Sequence, residues 1–308
     1  MPKTVKFKGI FPPVSTIFNE NGEFSQEEMA YVMDSLIDSG VDGLFFLGTG
    51  GEFSQMSVEE RKEVAAFTVR YVNNRVPVLI GTGSTSTRET IALSQHAEQV
   101  GADGVVIVNP YYWNLSEENL FNYYSDIAQS IELPIILYNF PDRTGQDLTA
   151  DFVLRLVDQH RNIVGIKETV DSIGHINEMI LKVKKQHPNF SVFCGFDNHL
   201  LNTLQLGGDG SITASGNFAP ELSVGIYQSF LQGDLKKAVS LHKRLSVLPL
   251  LYQVDSPFVN VVKEAMRLCG MTISTYVQPP TKPLSEEKIE EVREILELAE
   301  VISTTTVR

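Results

Sequence analysis

Lys167 holds the most chemical promise in this chain of 308 residues. It closes the apolar run Ile163-Val164-Gly165-Ile166, where a charge at the end of a buried strand must be paired or neutral. Burial lowers a lysine pKa, and a neutral amine can attack a ketone carbon to form a Schiff base. The alternative is a lysine ion-paired with a neighbouring carboxylate, Glu168 or Asp171. Tyr138 closes a second apolar run, Pro134–Tyr138. On an adjacent strand its phenol stands level with Lys167 and can relay the protons that imine formation moves. Taken alone, such a tyrosine is more often a core aromatic whose hydroxyl meets the backbone.

The run Gly48-Thr49-Gly50-Gly51 offers free backbone amides for a carboxylate, with the Thr49 hydroxyl beside them. A tight turn that needs glycine is its other reading. Neither this run nor Gly81-Thr82-Gly83-Ser84 completes GxGxxG, and no Walker lysine follows, which argues against a nucleotide. The six histidines (His96, His160, His175, His187, His199 and His242) form no HxH or HxxxH pair. A zinc-dependent aldolase would want such a cluster, so no metal is expected and solvated surface histidines are. Cys194 and Cys269 stand far apart and outside any CxxC pair.

Composition narrows the partners. Lys plus Arg number 25 against 38 Asp plus Glu, a formal charge of −13 with no basic run. Such a chain is a poor match for a phosphate backbone or an anionic membrane, so neither nucleic acid nor membrane is expected. Two prolines interrupt the opening MPKTVKFKGIFPPV where a signal peptide needs its apolar region, and no apolar run is long enough to span a bilayer. The expectation is a cytoplasmic chain acting on a small molecule.

The elements that must position these residues are eight apolar runs: Ile10–Ile17, Gly43–Leu47, Val76–Ile80, Gly104–Val108, Pro134–Tyr138, Ile163–Lys167, Ser191–Cys194 and Gly210–Thr213. Most are apolar at consecutive positions, as parallel strands covered on both faces are. Amphipathic stretches alternate with them, over Gln26–Ile37, Val58–Val72, Arg88–Val100, Glu117–Ile131, Ala150–Asp158 and Ser172–Lys185. Ser57 with Glu60 has the form of a capping box, Ser116 with Asn119 a weaker one, and Gly40, Gly101 and Gly207 fall where helices should stop. Even strand–helix alternation points to an α/β fold, a single (β/α)₈ barrel over residues 1–232, with a doubly wound open sheet as its rival. Helical segments Leu235–Leu248, Pro257–Leu268 and Ser285–Ile302 would then form a C-terminal extension over residues 233–308.

Taken in order, Gly48-Thr49-Gly50-Gly51-Glu52, Asn109-Pro110-Tyr111-Tyr112, Tyr138-Asn139-Phe140-Pro141, Gly165-Ile166-Lys167-Glu168 and Gly210-Ser211-Ile212-Thr213 resemble the dihydrodipicolinate synthase/N-acetylneuraminate lyase family across essentially the whole chain. The resemblance implies a barrel that condenses or cleaves pyruvate through a lysine imine, commonly as a homotetramer and with no cofactor. It implies Lys167 as the imine-forming lysine and Tyr138 as the proton-relaying phenol. Thr49 would link Tyr138 to Tyr112, and a neighbouring subunit would contribute an aromatic of the Tyr111-Tyr112 pair. The Thr49–Gly51 loop, with Gly50 and Gly51, would hold the pyruvyl carboxylate, and the Ile212 carbonyl would face the reacting carbons.

Departures bear on the substrate. Gly50 stands where the family usually has a second hydroxyl residue, and Trp113 and Phe140 make the mouth bulky and apolar. These features look like the branch of 2-keto-3-deoxy-sugar-acid aldolases. Against them, Arg143 stands where dihydrodipicolinate synthases bind the carboxylate of aspartate semialdehyde, and arginine suits bidentate carboxylate recognition. The alternative for Arg143 is a solvated loop residue. The arginine tips the expected reaction to condensation of pyruvate with aspartate semialdehyde, the sugar-acid aldolase being the alternative. A ligand-binding regulator that has lost turnover, or a phosphate-binding enzyme, are the other classes.

Overall fold

The structure, a computed structural model, describes residues 7–303. Its elements follow as β1 (Gly9–Ile10), α1 (Gln26–Asp38), β2 (Leu44–Phe46), α2 (Val58–Val72), β3 (Val78–Gly81), α3 (Thr87–Gln99), β4 (Gly104–Val108), α4 (Glu117–Ser130), β5 (Ile135–Asn139) and α5 (Pro141–Thr144). Next come α6 (Ala150–Gln159), β6 (Ile163–Glu168), α7 (Ile173–Met179), β7 (Ser191–Cys194), α8 (Leu200–Gln205), β8 (Gly210–Ser211), α9 (Pro220–Leu231), α10 (Leu235–Leu245), α11 (Val259–Leu268) and α12 (Glu286–Leu298). All the strand pairs are parallel, in the order β1-β8-β7-β6-β5-β4-β3-β2.

The first strand departs from its expected span. Only Gly9–Ile10 pairs with β8, because Pro12 and Pro13 bring no N–H to a ladder. The segment nevertheless closes the circle: Val14 N–H donates to Phe45 O at 2.8 Å and Phe45 N–H to Pro12 O at 3.0 Å, beside a Pro13–Phe45 bridge. The open-sheet rival falls, and the chain is a (β/α)₈ barrel.

Local signals set the helix ends. The Ser57 hydroxyl accepts from Glu60 N–H and the Glu60 carboxylate accepts from Ser57 N–H, a full capping box. Gly40, Gly101 and Gly207 follow α1, α3 and α8 with positive φ, as stops. The stretch Ser172–Lys185 is α7 followed by a π turn, and Leu235–Leu248 ends early at Leu245 with Pro249 just beyond. The core fills the barrel, with Phe11 edge-on to Phe193, and continues without a break into Leu245, Val261, Met266, Val292 and Leu296 of the C-terminal helices. No helix among the described residues is long and apolar enough to cross a membrane.

Candidate active site

β6 carries Lys167 to the C-terminal end of the barrel, the end where the loops of such folds place their chemistry. The register sets Tyr138 of β5 directly opposite Lys167, level with it as the two apolar runs anticipate. Lys167 is 4% exposed, with Nζ 4.0 Å from the centroid of the Tyr138 ring and 5.3 Å from that of Phe45. The two carboxylates offered as ion-pair partners are engaged elsewhere. Glu168 lies on the opposite face of the strand, accepts from Asn139 Nδ2 at 3.1 Å and meets His175 Nδ1 at 3.1 Å. Asp171 is 2.8 Å from His199 Nε2. The Lys167 amine is thus buried against rings, not against a carboxylate.

Behind it, His175 lies between Asp147 and Glu168, and these carboxylates push its imidazole up to about 10. Burial in turn pushes the Glu168 carboxyl up. The expectation of solvated histidines therefore fails at His175, at His199, and at His160, which is buried on Ser125 Oγ. Among the described residues no three His, Cys, Asp or Glu side chains gather so as to hold a metal ion.

The loop after β2 folds into two short 3₁₀ turns, Thr49–Gly51 and Phe53–Gln55, the first bracketed by Leu47 and Glu52 at φ +59. Left-handed conformations at non-glycine residues cost on the order of 1–3 kcal/mol each and persist where the surroundings over-determine them. A Cβ on Gly48 would come within 2.7 Å of the Phe45 ring, so the backbone can pass there only as glycine. The turn spends Gly51 N–H on Gly48 O and Glu52 N–H on Thr49 O, which narrows the expected run of free amides to those of Thr49 and Gly50. Thr49 Oγ1 is 3.1 Å from Tyr138 OH. Lysine amine, phenol and threonine hydroxyl therefore form one connected row across β6, β5 and the turn.

Thr49, at one end of that row, lines a cavity of about 270 Å³ together with Phe53, Tyr111, Phe140, Arg143 and Ser256, among others. Phe140 stacks on Tyr138 with centroids 5.9 Å apart, and the exposed Arg143 lies over the far side of the mouth, 5.8 Å from the Phe140 centroid. Tyr111 packs edge-on to Phe53. Ile212 follows β8, fully buried, with its N–H on Cys194 O. Tyr112 is not brought to Thr49 within the chain: it is 80% exposed and packs on the equally outward Trp113, which stands apart from the cavity it was expected to crowd.

Three features escaped the sequence reading. Thr169 is buried two residues beyond Lys167, and its hydroxyl finds no hydrogen-bond partner among the described residues. Strand alternation from Lys167 was the signal for it. Asp197 is buried at the end of β7, where Ser215 Oγ and Tyr252 OH donate to it and burial pushes its carboxyl up. Lys263 of α11 is fully buried on Glu52, and a lysine inside the run Val259–Met266 was its only local sign.

A profile of the dihydrodipicolinate synthetase family matches residues 6–299. YagE of Escherichia coli K12, provisionally named a 2-dehydro-3-deoxy-D-gluconate aldolase, is 54% identical over 96% of this chain and 98% of its own. Its crystal structure in complex with pyruvate superposes with a TM-score of 0.95, covering 96% of this chain and 99% of that one. YjhH of the same organism, provisionally named a 2-dehydro-3-deoxy-D-pentonate aldolase, is 55% identical over 94% of this chain and 97% of its own. Dihydrodipicolinate synthase from Thermotoga maritima superposes with a TM-score of 0.91 at 32% identity, over 97% of this chain and all of that one. Barrel, strand-end row and whole-length likeness agree: this chain is a lyase of the dihydrodipicolinate synthetase family.

Proposed function

We propose that the chain cleaves a 2-keto-3-deoxy sugar acid, of the gluconate or pentonate type, to pyruvate and a hydroxyaldehyde through an imine on Lys167. The observation that carries the chemistry is the buried Lys167 amine 4.0 Å from the ring of Tyr138, whose hydroxyl is joined to Thr49. The Thr49 and Gly50 amides hold the substrate carboxylate and set its C2 carbonyl before the amine. Attack at C2 forms the carbinolamine, and Tyr138 returns a proton to the departing hydroxyl as water leaves. Tyr138 then takes the proton of the C4 hydroxyl, the C3–C4 bond breaks, and its electrons pass into the imine to leave an enamine. Protonation at C3 and hydrolysis release pyruvate and the free lysine. The imine is the electron sink, so these steps draw on no cofactor.

The choice of substrate rests on the relatives: 54–55% identity with the two sugar-acid aldolases against 32% with the Thermotoga synthase. Arg143 tips a reading of the sequence to aspartate semialdehyde; the relatives tip it the other way. The apolar Phe140 lining the cavity fits a neutral aldehyde end better than a charged one. The proposal extends to a homotetramer acting in the cytoplasm, in which Tyr112, 80% exposed and so within reach of a second copy, completes a neighbour's site.

Borohydride added with pyruvate should fix one pyruvyl adduct on Lys167, seen by peptide mass spectrometry; an unmodified Lys167 overturns the imine. Cleavage of 2-keto-3-deoxygluconate should exceed condensation of pyruvate with aspartate semialdehyde in kcat/KM. The reverse ranking would hand the substrate to the semialdehyde, which Arg143 at the cavity mouth favours.

A further inference from the structure

Glu52 ends the turn that presents the Thr49 and Gly50 amides, and it is 1% exposed in a left-handed conformation. Both its carboxylate oxygens are held from the C-terminal part of the chain. Lys263 Nζ of α11 donates to one at 2.5 Å, and the Gln278 backbone N–H donates to the other at 2.8 Å. Lys263 is itself 0% exposed, donates also to Tyr276 O at 2.6 Å, and lies 4.7 Å from the centroid of the Phe18 ring. On its other side the turn is tied by Thr16 Oγ1, which donates to Gly51 O at 2.8 Å.

We infer that Lys263 is a positioning residue for the imine chemistry: through Glu52 it fixes the Thr49–Gly51 turn so that its amides meet the substrate carboxylate and Thr49 meets Tyr138. The physical case has three parts. A residue at positive φ that is not glycine keeps that conformation only where contacts over-determine it, and Glu52 has four: Lys263 and Gln278 on its carboxylate, its own N–H on Thr49 O, and Gln55 N–H on its carbonyl. A buried carboxylate cannot stand without a cation or donors, so removing Lys263 forces Glu52 to take up a proton or to move. Movement at Glu52 is movement of the amides one and two residues before the preceding glycine, and displacements of about 1 Å at a reacting group are costly. Burial holds the Lys263 ammonium below the usual lysine range while Glu52 opposes that fall, as expected of a pair whose members depend on each other. The C-terminal helices thereby reach the carboxylate end of the site, although none of the cavity's imine-forming groups lies on them.

This inference rests on the reading that the turn holds the pyruvyl carboxylate, so the test separates the two. Pyruvate is titrated against borohydride trapping at Lys167 in the full chain, giving half-saturation and maximum adduct for wild type, Lys263→Met and Glu52→Gln. Lys184→Met is the control, since Lys184 pairs with Asp209 at 2.5 Å at the opposite end of the barrel, beside the start of β8. Lys263→Met should raise half-saturation by about tenfold or more with the maximum adduct retained, the split expected of misplaced binding groups. Glu52→Gln, which keeps an acceptor for Gln278 and leaves the cation unpaired, should raise it in the same direction and answers the question if Lys263→Met does not fold. Lys184→Met should stay within about twofold of wild type. Wild-type half-saturation in the folded Lys263 or Glu52 variant, or an equal rise in Lys184→Met, overturns the positioning role while leaving the imine intact. Absence of any adduct in wild type overturns the imine reading and this inference with it.

Discussion

Two buried lysines occupy opposite electrostatic settings in this barrel. Lys167, at the end of β6, lies against the rings of Tyr138 and Phe45, and the carboxylates nearest it in sequence are bound to His175 and His199. Lys263, within α11, also faces a ring, that of Phe18, but is clamped by Glu52 and the Tyr276 carbonyl. Burial alone therefore does not mark a nucleophile. What separates the two is where the neighbouring carboxylate points. Glu168 leaves the face that Lys167 occupies, so Lys167 Nζ meets rings and no carboxylate, whereas Lys263 is committed to two oxygens and a ring.

The largest effect should come from removing the uncommitted amine. Lys167→Ala should abolish the borohydride-dependent pyruvate adduct and reduce aldol cleavage to background, because no other nucleophile stands at that strand end. Residual trapping at another lysine would erase the distinction drawn between the two sites. Tyr138→Phe should come next, with a fall in kcat of about 10²–10⁴-fold, the usual contribution of a general acid–base. An unchanged kcat would remove the phenol from the proton path and leave only its ring against Lys167.

Stability should reverse the ranking. Lys263→Met breaks a buried pair and should cost about 3–5 kcal/mol, read from denaturant midpoints. Lys167→Met replaces an amine packed on rings with an apolar chain and should cost far less. Equal losses would mean that the Lys167 amine is as firmly paired as Lys263. The network that diverts Glu168 should show a gentler signature. His175 titrates near 6.5 unfolded and is raised to about 10 in the fold, so its contribution is complete below 6.5 and is lost as pH climbs through 10. Thermal midpoints should fall over that window and fall less in His175→Gln.

The barrel was legible because its strands are apolar at consecutive positions, and the Tyr138–Lys167 register followed once those runs were paired. Ser57 with Glu60 was legible for the same reason, being local. The Lys263–Glu52 pair was not, since its members lie 211 residues apart and neither carries a sign of the other. The first strand was overextended because apolar residues around Pro12 and Pro13 read as a strand, while a ladder counts N–H groups. Tyr112 joins the row by family likeness alone, and the single chain turns it outward, 80% exposed.

Arg143 extends the comparison to a third cation, and the smallest effect is expected there. Unlike either lysine it is exposed, resting over the Phe140 ring on the short helix α5 at the mouth of the cavity. An exposed guanidinium pays little for lacking a carboxylate, so its presence does not require an anionic acceptor in the way a buried one would. A neutral hydroxyaldehyde therefore leaves it solvated at little cost. Arg143→Ala should leave kcat/KM for 2-keto-3-deoxygluconate within about twofold, the size of a surface substitution. If aspartate semialdehyde is turned over at all, the same variant should lose about 1.5–3 kcal/mol on that substrate, the worth of a hydrogen bond to a charged group. A loss of that size on the sugar acid would instead mean that the guanidinium holds a hydroxyl of the aldehyde end, moving Arg143 from the rim of the cavity into substrate recognition.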